Sequence, residues 1–250
     1  MKFYYINLDR SIDRKNEMEK QFLKYNIDGE RIQAVDGSRL LTDEKYKRII
    51  SIMTDIDEKY LNENWLIDRS NFKTLSRLMN FIAPRFALYL STILALKTCI
   101  EQGENSLVLF EDDCVILQEL QIPYIKDADL IYLGGTFSGK GFDSPIIKVK
   151  NPDLKVYGSF SIYIPDCKKI LKVLMSPFQS GPSKDKHPDW RSGDVKLRVQ
   201  AIDLFYVNHF QKYGNCYVLN PSQITHPENN ISTINKKMRN YIKLGLRFLF

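Results

Sequence analysis

Residues 107–117 read Leu107-Val108-Leu109-Phe110-Glu111-Asp112-Asp113-Cys114-Val115-Ile116-Leu117. The four apolar residues at the start predict a buried β-strand that runs directly into three carboxylates, the acidic triplet. Buried charges have to be paired or bound to a metal ion, and carboxylate oxygens together with phosphate oxygens suit a divalent cation. Because α/β proteins bind ligands at the carboxyl ends of strands, the triplet predicts a binding site. The alternative is a strand that ends in a solvated acidic turn.

The segments before the triplet predict the first part of an α/β sheet. Residues 3–8 read as a strand, and residues 11–25 have the spacing of an amphipathic helix that Ser11 can cap. Residues 31–35 read as a second strand, closed by the turn Asp36-Gly37. This strand–helix–strand order favours a parallel sheet. Later strands are predicted at 130–133, 155–164 and 216–219, and later helices at 85–101, 166–175 and 195–210.

The composition indicates a globular protein rather than a nucleic-acid-binding one. Hydrophobic residues make up 44% and charged residues 26%, with a net charge of +6 that is compatible with phosphate-bearing ligands. We find no zinc-finger, RNA-recognition or basic-zipper pattern, so nucleic acid is not an expected partner. The four cysteines form no C-x-x-C pair and predict reduced thiols. Without a signal-peptide pattern or an apolar stretch long enough to span a bilayer, a cytoplasmic location is expected.

Three segments differ from the predicted sheet and helices. Residues 42–80 are polar and irregular, with a helical piece around 43–52, and predict an insertion. Residues 176–193 have the composition of a loop. Residues 236–250 alternate basic and apolar side chains in the pattern of an amphipathic helix that lies on a membrane surface. We expect peripheral contact with the inner face of the membrane through this segment; the alternative is a terminal helix packed on the domain.

Three segments together resemble glycosyltransferase family 25, the group that includes lipooligosaccharide and collagen glycosyltransferases. They are Tyr5-Ile6-Asn7-Leu8-Asp9-Arg10-Ser11-Ile12-Asp13-Arg14, Arg31-Ile32-Gln33-Ala34-Val35-Asp36-Gly37 and Leu109-Phe110-Glu111-Asp112-Asp113-Cys114-Val115. The resemblance spans residues 3–233. It implies an A-type glycosyltransferase fold, which is a Rossmann-like mixed sheet flanked by helices, in a single catalytic domain over residues 1–235. The chain departs from the family pattern at Ser91-Thr92, where relatives carry a Ser-His pair, and at Ala83-Pro84-Arg85.

The resemblance implies a metal-dependent, inverting glycosyltransferase of the kind used in lipopolysaccharide biosynthesis. Such an enzyme moves a hexose, galactose or glucose, from a UDP-sugar to a glycan, lipid-linked or protein acceptor, with Mn²⁺ or Mg²⁺ as cofactor. Two alternatives remain open. One is a catalytically inactive relative that binds glycans or partner chains, and the other is a nucleotide-sugar hydrolase.

The same resemblance indicates which residues would bind the metal ion and the donor. Asp113 is the expected direct metal ligand, with Asp112 as a second ligand or its supporting partner. His226, in a polar segment after the last predicted strand, is a further candidate ligand, although it could equally be a surface histidine. Glu111 and Asp112 are expected to contact the nucleotide sugar.

The residues after the first two strands are candidates for the nucleotide side of the site. A strand end beside a helix start is suited to bind a base, ribose or phosphate, and arginine binds phosphate in a bidentate manner. The alternative for these residues is helix capping and surface ion pairs. The candidates are Asn7, Asp9, Arg10, Arg14, Asp36 and Gly37.

The general base of an inverting transfer has to be a carboxylate beside the acceptor hydroxyl. Asp203 lies at the acidic position that resembles the family's, near the start of a late helix. Asp194 is the alternative, at a predicted helix start nearby.

Overall fold

A mixed β-sheet of seven strands forms the centre of the molecule in a computed structural model, which describes residues 1–64, 82–139, 144–149, 153–179 and 201–226. Its spatial order is β2-β1-β3-β7-β5-β8-β6, and β4 and β9 form a separate antiparallel pair. The strands are β1 (Lys2–Asn7), β2 (Gly29–Gln33), β3 (Leu107–Glu111), β4 (Val115–Ile116), β5 (Leu130–Gly139), β6 (Ile146–Val149), β7 (Leu154–Ile164), β8 (Cys216–Leu219) and β9 (Ile224–Thr225).

The first three strands of the sheet run parallel, as the strand–helix–strand order predicts. β1 pairs in parallel with both β2 and β3, so the carboxyl ends of all three strands lie at one edge. β7 is antiparallel to β3 and to β5, which makes the sheet mixed. Asn7 and the acidic triplet therefore reach the same edge although they lie far apart in the chain.

Helices cover both faces of the sheet. The helices are α1 (Ile12–Lys24), α2 (Gly37–Thr42), α3 (Glu44–Thr54), α4 (Glu58–Asn64), α5 (Ala83–Glu101), α6 (Cys167–Gln179), α7 (Ile202–Phe205) and α8 (Gln211–Tyr213), with a π-helical turn at Tyr206–Phe210. Leu107 and Leu109 of β3 belong to the core on the α5 and α6 side, whereas Val108 and Phe110 pack on the α1 side. A strand buried on both faces needs an unbroken apolar run, which β3 has.

Helix α5 is the most buried of the described helices and matches the prediction of a buried helix at 85–101. Tyr89, Leu90 and Ile93 have no exposed surface, and Pro84 occupies the first turn, where its missing N–H costs nothing. Within the described residues, no helix combines the length and apolarity needed to cross a membrane.

Several local predictions are wrong. Ser11 precedes α1 but its side chain makes no capping hydrogen bond. The strand predicted at 130–133 continues through Gly134-Gly135 to Gly139, because two irregularities in its pairing with β7 absorb the glycines. Helix α6 starts as predicted, with the side chain of Asp166 accepting a hydrogen bond from the N–H of Lys169. It continues to Gln179 and so includes residues 176–179 of the predicted loop, because apolar packing extends it.

Other predictions are confirmed or lie outside the described residues. All four cysteines are buried and free, and the helical piece predicted at 43–52 is α3. Residues 65–81, residues 180–200 with Asp194, and the terminal segment 236–250 lie outside the described parts of the chain. The division into a catalytic domain over 1–235 and a terminal helix stays a prediction.

Candidate active site

A cleft with a volume of about 290 Å³ lies at the carboxyl ends of the parallel strands, between the loop after β2 and helix α5. Asn7 and Asp9 are not among its lining residues. Asn7 donates a hydrogen bond to Asp112 of its polar wall, whereas Asp9 binds Arg31 and Gln33 of β2. The residues predicted for the site that do line the cleft are Arg10, Arg14, Asp36, Gly37, Glu111, Asp112 and Asp113.

The opposite wall of the cleft was not predicted from the sequence. Pro84, Ala87, Leu88 and Ser91 of α5 form it. Their spacing places them on one face of a helix, and Pro84 and Ser91 lie where the chain departs from the family pattern, but the apolar pattern of α5 does not distinguish this face from the faces that pack in the core. This wall is mostly apolar, so the cleft has one charged side and one side suited to a ring or base.

Asp112 is held from two sides. Its Oδ2 accepts a hydrogen bond of 2.7 Å from the Nδ2 of Asn7, and its Oδ1 accepts one of 2.9 Å from Arg14. Burial raises the pKa of Asp112 although both partners favour its charged form. Both oxygens of Asp112 are therefore engaged with protein donors.

Asp113 and His226 come together at the edge of the same cleft. The Nε2 of His226 lies 3.2 Å from the Oδ2 of Asp113, and Arg14 lies 3.5 Å from the same oxygen. Burial acts against ionisation of Asp113, but the hydrogen bond and charge of His226, with Arg14, hold its pKa below the ordinary value. The Oδ1 of Asp113 is buried and has no hydrogen-bond partner among the described residues.

The small β4–β9 sheet explains how His226 reaches Asp113. β4 begins two residues after Asp113, β9 ends one residue before His226, and Val115 pairs with Thr225 across the two strands. β9 also lies directly against Gly134 of β5, where any side chain would overlap the backbone of Ile224. The glycine therefore allows the close approach that places His226.

The loop after β2 is held by side chains from two helices. Ser91 of α5 accepts a hydrogen bond of 2.9 Å from the N–H of Val35, and the Tyr46 hydroxyl of α3 accepts one of 2.8 Å from the N–H of Asp36. Burial acts against ionisation of Asp36, but its capping contacts with Ser38 and its ion pair with Arg10 hold its pKa below the ordinary value. This loop therefore presents a charged carboxylate to the cleft.

Gly37 follows this carboxylate at the start of α2. It packs against the backbone of Ala83 at the start of α5, which leaves no room for a Cβ atom. The glycine therefore lets the loop after β2 and helix α5 approach each other closely on the two sides of the cleft.

Asp203 lies on the α5 side of the sheet, half-buried in the first turn of α7. The Tyr206 hydroxyl is buried beside Thr92, and burial, followed by the charges of Glu111 and Asp203, raises its pKa. Tyr206 is therefore within electrostatic range of both carboxylates. Asp203 does not itself line the cleft.

A metal site built entirely from protein side chains is absent from the described residues. They contain no group of three or more His, Cys, Asp or Glu side chains arranged to hold an ion. From the described residues alone, an ion at the acidic triplet would therefore have fewer than three such side chains as ligands.

The fold and site define a class of protein: a mixed sheet of seven strands flanked by helices, consistent with a Rossmann-like glycosyltransferase fold. Residues 1–133 match the family model described as "Glycosyltransferase family 25 (LPS biosynthesis protein)". The chain belongs to this family, which confirms the resemblance and indicates a glycosyltransferase that uses a sugar donor and a glycan acceptor. The matched residues include β1, the loop after β2, α5 and the acidic triplet. No curated protein matches the sequence at a significant level.

Proposed function

We propose that the chain is a metal-dependent, inverting hexosyltransferase that moves galactose or glucose from a UDP-sugar to a glycan, lipid-linked or protein acceptor. The observation that carries this proposal is the convergence of Asp113, His226 and Arg14 beside a cleft with one apolar wall. A carboxylate and an imidazole can bind a divalent ion, and a guanidinium beside them can bind the diphosphate that the ion accompanies.

The described residues fit a divalent ion held by two protein ligands. The 3.2 Å between the Asp113 Oδ2 and the His226 Nε2 is close to the separation of about 3 Å expected for adjacent ligands with metal bonds of about 2.1 Å. The unpartnered Oδ1 of Asp113 adds acceptor capacity. Imidazole favours Mn²⁺ over Mg²⁺, which prefers oxygen ligands. A bound ion would stabilise the charge of the departing diphosphate as a Lewis acid.

The charged wall suits the polar parts of a nucleotide sugar. Arg14 already lies beside both aspartates, so it can contact a phosphate oxygen at the same place. Asp36 and Glu111 carry acceptors for ribose or hexose hydroxyl groups. Asp112 orients Arg14 through one oxygen and accepts from Asn7 with the other, and each oxygen keeps a second lone pair with which Asp112 can serve as a further ligand of the ion.

Inversion requires the acceptor hydroxyl to attack from the side opposite the departing diphosphate and to lose its proton to a base. We assign this base to Asp203, with Asp194 as the alternative. Asp203→Asn and Asp194→Asn separate the two: the correct one lowers kcat by about 10²-fold or more while UDP affinity is retained.

The proposal is tested by thermal unfolding with UDP-galactose and UDP-glucose, each with Mn²⁺ or with EDTA. A donor at about 100 times its Kd stabilises the folded state by about 2.7 kcal/mol, which raises the Tm of a chain of this size by about 5–10 °C. We expect this shift with one donor and only with metal. Equal shifts with EDTA would contradict metal dependence, and no shift with any donor would favour an inactive relative.

Transfer and hydrolysis are distinguished by the fate of the hexose. A hydrolase releases free hexose at the rate at which it releases UDP, whereas a transferase releases UDP faster when an acceptor is present.

Membership of a family described as lipopolysaccharide biosynthesis supports a lipid-linked acceptor. We therefore propose peripheral membrane contact through residues 236–250, tested by flotation of the full chain and of a chain without them on liposomes that contain anionic lipid.

A further inference from the structure

Arg31 binds Asn7, the residue that connects the end of β1 to the acidic triplet. From β2, its Nε donates a hydrogen bond of 2.9 Å to the Oδ1 of Asn7, and its Nη2 donates one of 3.1 Å to the backbone oxygen of Asn7. The same nitrogen donates a hydrogen bond of 2.6 Å to Asp9, whose other oxygen accepts from Gln33. The orientation of the guanidinium is thus fixed by Asn7 on one side and by Asp9 on the other.

Asn7 faces the triplet with the other end of its amide. Its Nδ2 donates to the Oδ2 of Asp112 at 2.7 Å and to the backbone oxygen of Ser11 at 3.0 Å, and the residue is only 1% exposed. Arginine is a donor only, so it can face only the carbonyl end of the amide. A flipped Asn7 amide would direct its NH₂ group at the Arg31 guanidinium and its oxygen at the Asp112 carboxylate. The first contact would place two donors together and the second two acceptors, so both would be repulsive.

We propose that Arg31 is a positioning residue, which sets the orientation of the Asn7 amide and through it the position of Asp112 and Arg14. The inference rests on the proposed function, because Asp112 and Arg14 belong to its donor site. Arg31 is not among the residues that line the cleft, and of the two residues it binds through side chains, Asn7 is the one that contacts the triplet.

The effect reaches the ion site through a continuous set of contacts. Asp112 holds Arg14 at 2.9 Å, and Arg14 lies 3.5 Å from the same Asp113 oxygen that faces His226. If the Asn7 amide no longer donates to Asp112, Arg14 alone holds this carboxylate. The Asp112–Arg14 pair then shifts and moves the guanidinium away from Asp113. Residues that orient the groups around a metal site in this way change metal affinity or activity by about 10–100-fold when mutated.

The test compares Arg31→Met with a matched control, Lys2→Met. Lys2 also bridges β1 and β2, through an ion pair of 2.8 Å with Glu30, but at the far end of the two strands. The Kd for UDP in the presence of Mn²⁺ is measured by calorimetry, with urea unfolding of each variant as a measure of fold stability. We expect about a tenfold or greater loss of affinity for Arg31→Met and an affinity within about twofold of the native chain for Lys2→Met.

Two further variants separate positioning from a general structural effect. Arg31→Lys keeps the charge but lacks the planar fork, so we expect an intermediate affinity. In an Asn7→Ala background, Arg31→Met should cause no additional loss, since the residue through which it acts is absent. Equal affinities for Arg31→Met and Lys2→Met, or an undiminished Arg31 effect without Asn7, would overturn the proposal.

A second readout does not depend on the donor. The side-chain amide protons of Asn7, identified by their loss in Asn7→Ala, should exchange with solvent about tenfold faster in Arg31→Met than in the native chain or in Lys2→Met. If the native chain binds no UDP with Mn²⁺, the proposed function fails and the exchange rates alone decide the role of Arg31. An unchanged exchange rate of the Asn7 amide protons in Arg31→Met would refute the positioning role of Arg31.

Discussion

Gly134→Ala tests whether the close approach of β9 to β5 is what places His226 at the ion site. The added Cβ atom would lie 2.7 Å from the carbonyl carbon of Ile224 and closer still to its oxygen. Backbone atoms cannot rotate away as a side chain can. β9 therefore has to move, and His226 follows Ile224 two residues later in the chain.

The size of the movement follows from ordinary contact distances. Carbon atoms in contact lie about 3.5–4.0 Å apart, so β9 has to shift by about 1 Å. Metal–ligand distances tolerate only about 0.2 Å, so a shift of this size removes His226 as a ligand of an ion held by Asp113. We expect the Kd for UDP with Mn²⁺ to rise by about tenfold or more, and overpacking to cost about 1–3 kcal/mol of stability.

The assay measures UDP binding with Mn²⁺ and with EDTA, together with urea unfolding. Gly135→Ala is the matched control, because its Cβ atom would meet the side chain of Val156 at 2.6 Å rather than β9. Both variants should lose stability, but only Gly134→Ala should lose the metal-dependent part of binding. The double variant Gly134→Ala with His226→Ala should bind no more weakly than either single variant.

If Gly134→Ala is destabilised as expected but keeps the native metal-dependent affinity, then the position of β9 does not control the ion site. The same conclusion follows if Gly135→Ala loses affinity equally, since the loss would then reflect a general disturbance of β5.

Three further outcomes are expected. Burial lowers the pKa of His209 to about 4 from 6.5, so the folded protein binds a proton less readily than the unfolded chain. Stability should be constant above the unfolded pKa and fall as the pH drops below it, by about 2 kcal/mol from pH 7 to pH 5, and urea unfolding of His209→Leu should lack this fall. Tyr46→Phe leaves the N–H of Asp36 without its acceptor, which should cost about 1–3 kcal/mol in the same assay. Asp113→Asn should abolish the difference in UDP affinity between Mn²⁺ and EDTA in calorimetry, and an unchanged difference would remove Asp113 as a ligand.

The sequence was sufficient to predict the elements that depend on local patterns. The buried strand before the acidic triplet, the amphipathic helix after β1 and the buried helix α5 each depend on residues that are neighbours in the chain. Errors arose where packing overrode local signals, as at Gly134-Gly135. There the predicted strand ends at residue 133, but β5 continues to Gly139 because β7 pairs with it along this length.

Part of the candidate site could likewise be predicted from residues close together in the chain, and part could not. The charged wall could be predicted because Arg10 lies between β1 and α1, Arg14 lies in the first turn of α1, and Asp36 lies just after β2. The apolar wall from α5 and the supporting contacts of Arg31 and Tyr46 could not, since each joins separate elements whose relative placement depends on packing.

The family, the parallel start of the sheet and the acidic triplet at the end of a buried strand were determined by the sequence alone. Only the tertiary structure decided that His226 meets Asp113 and that Asn7 directs its amide at Asp112. The physical reason is that both contacts depend on long-range strand pairing. β4 with β9 and β1 with β3 join segments whose complementarity appears only when the whole sheet is formed.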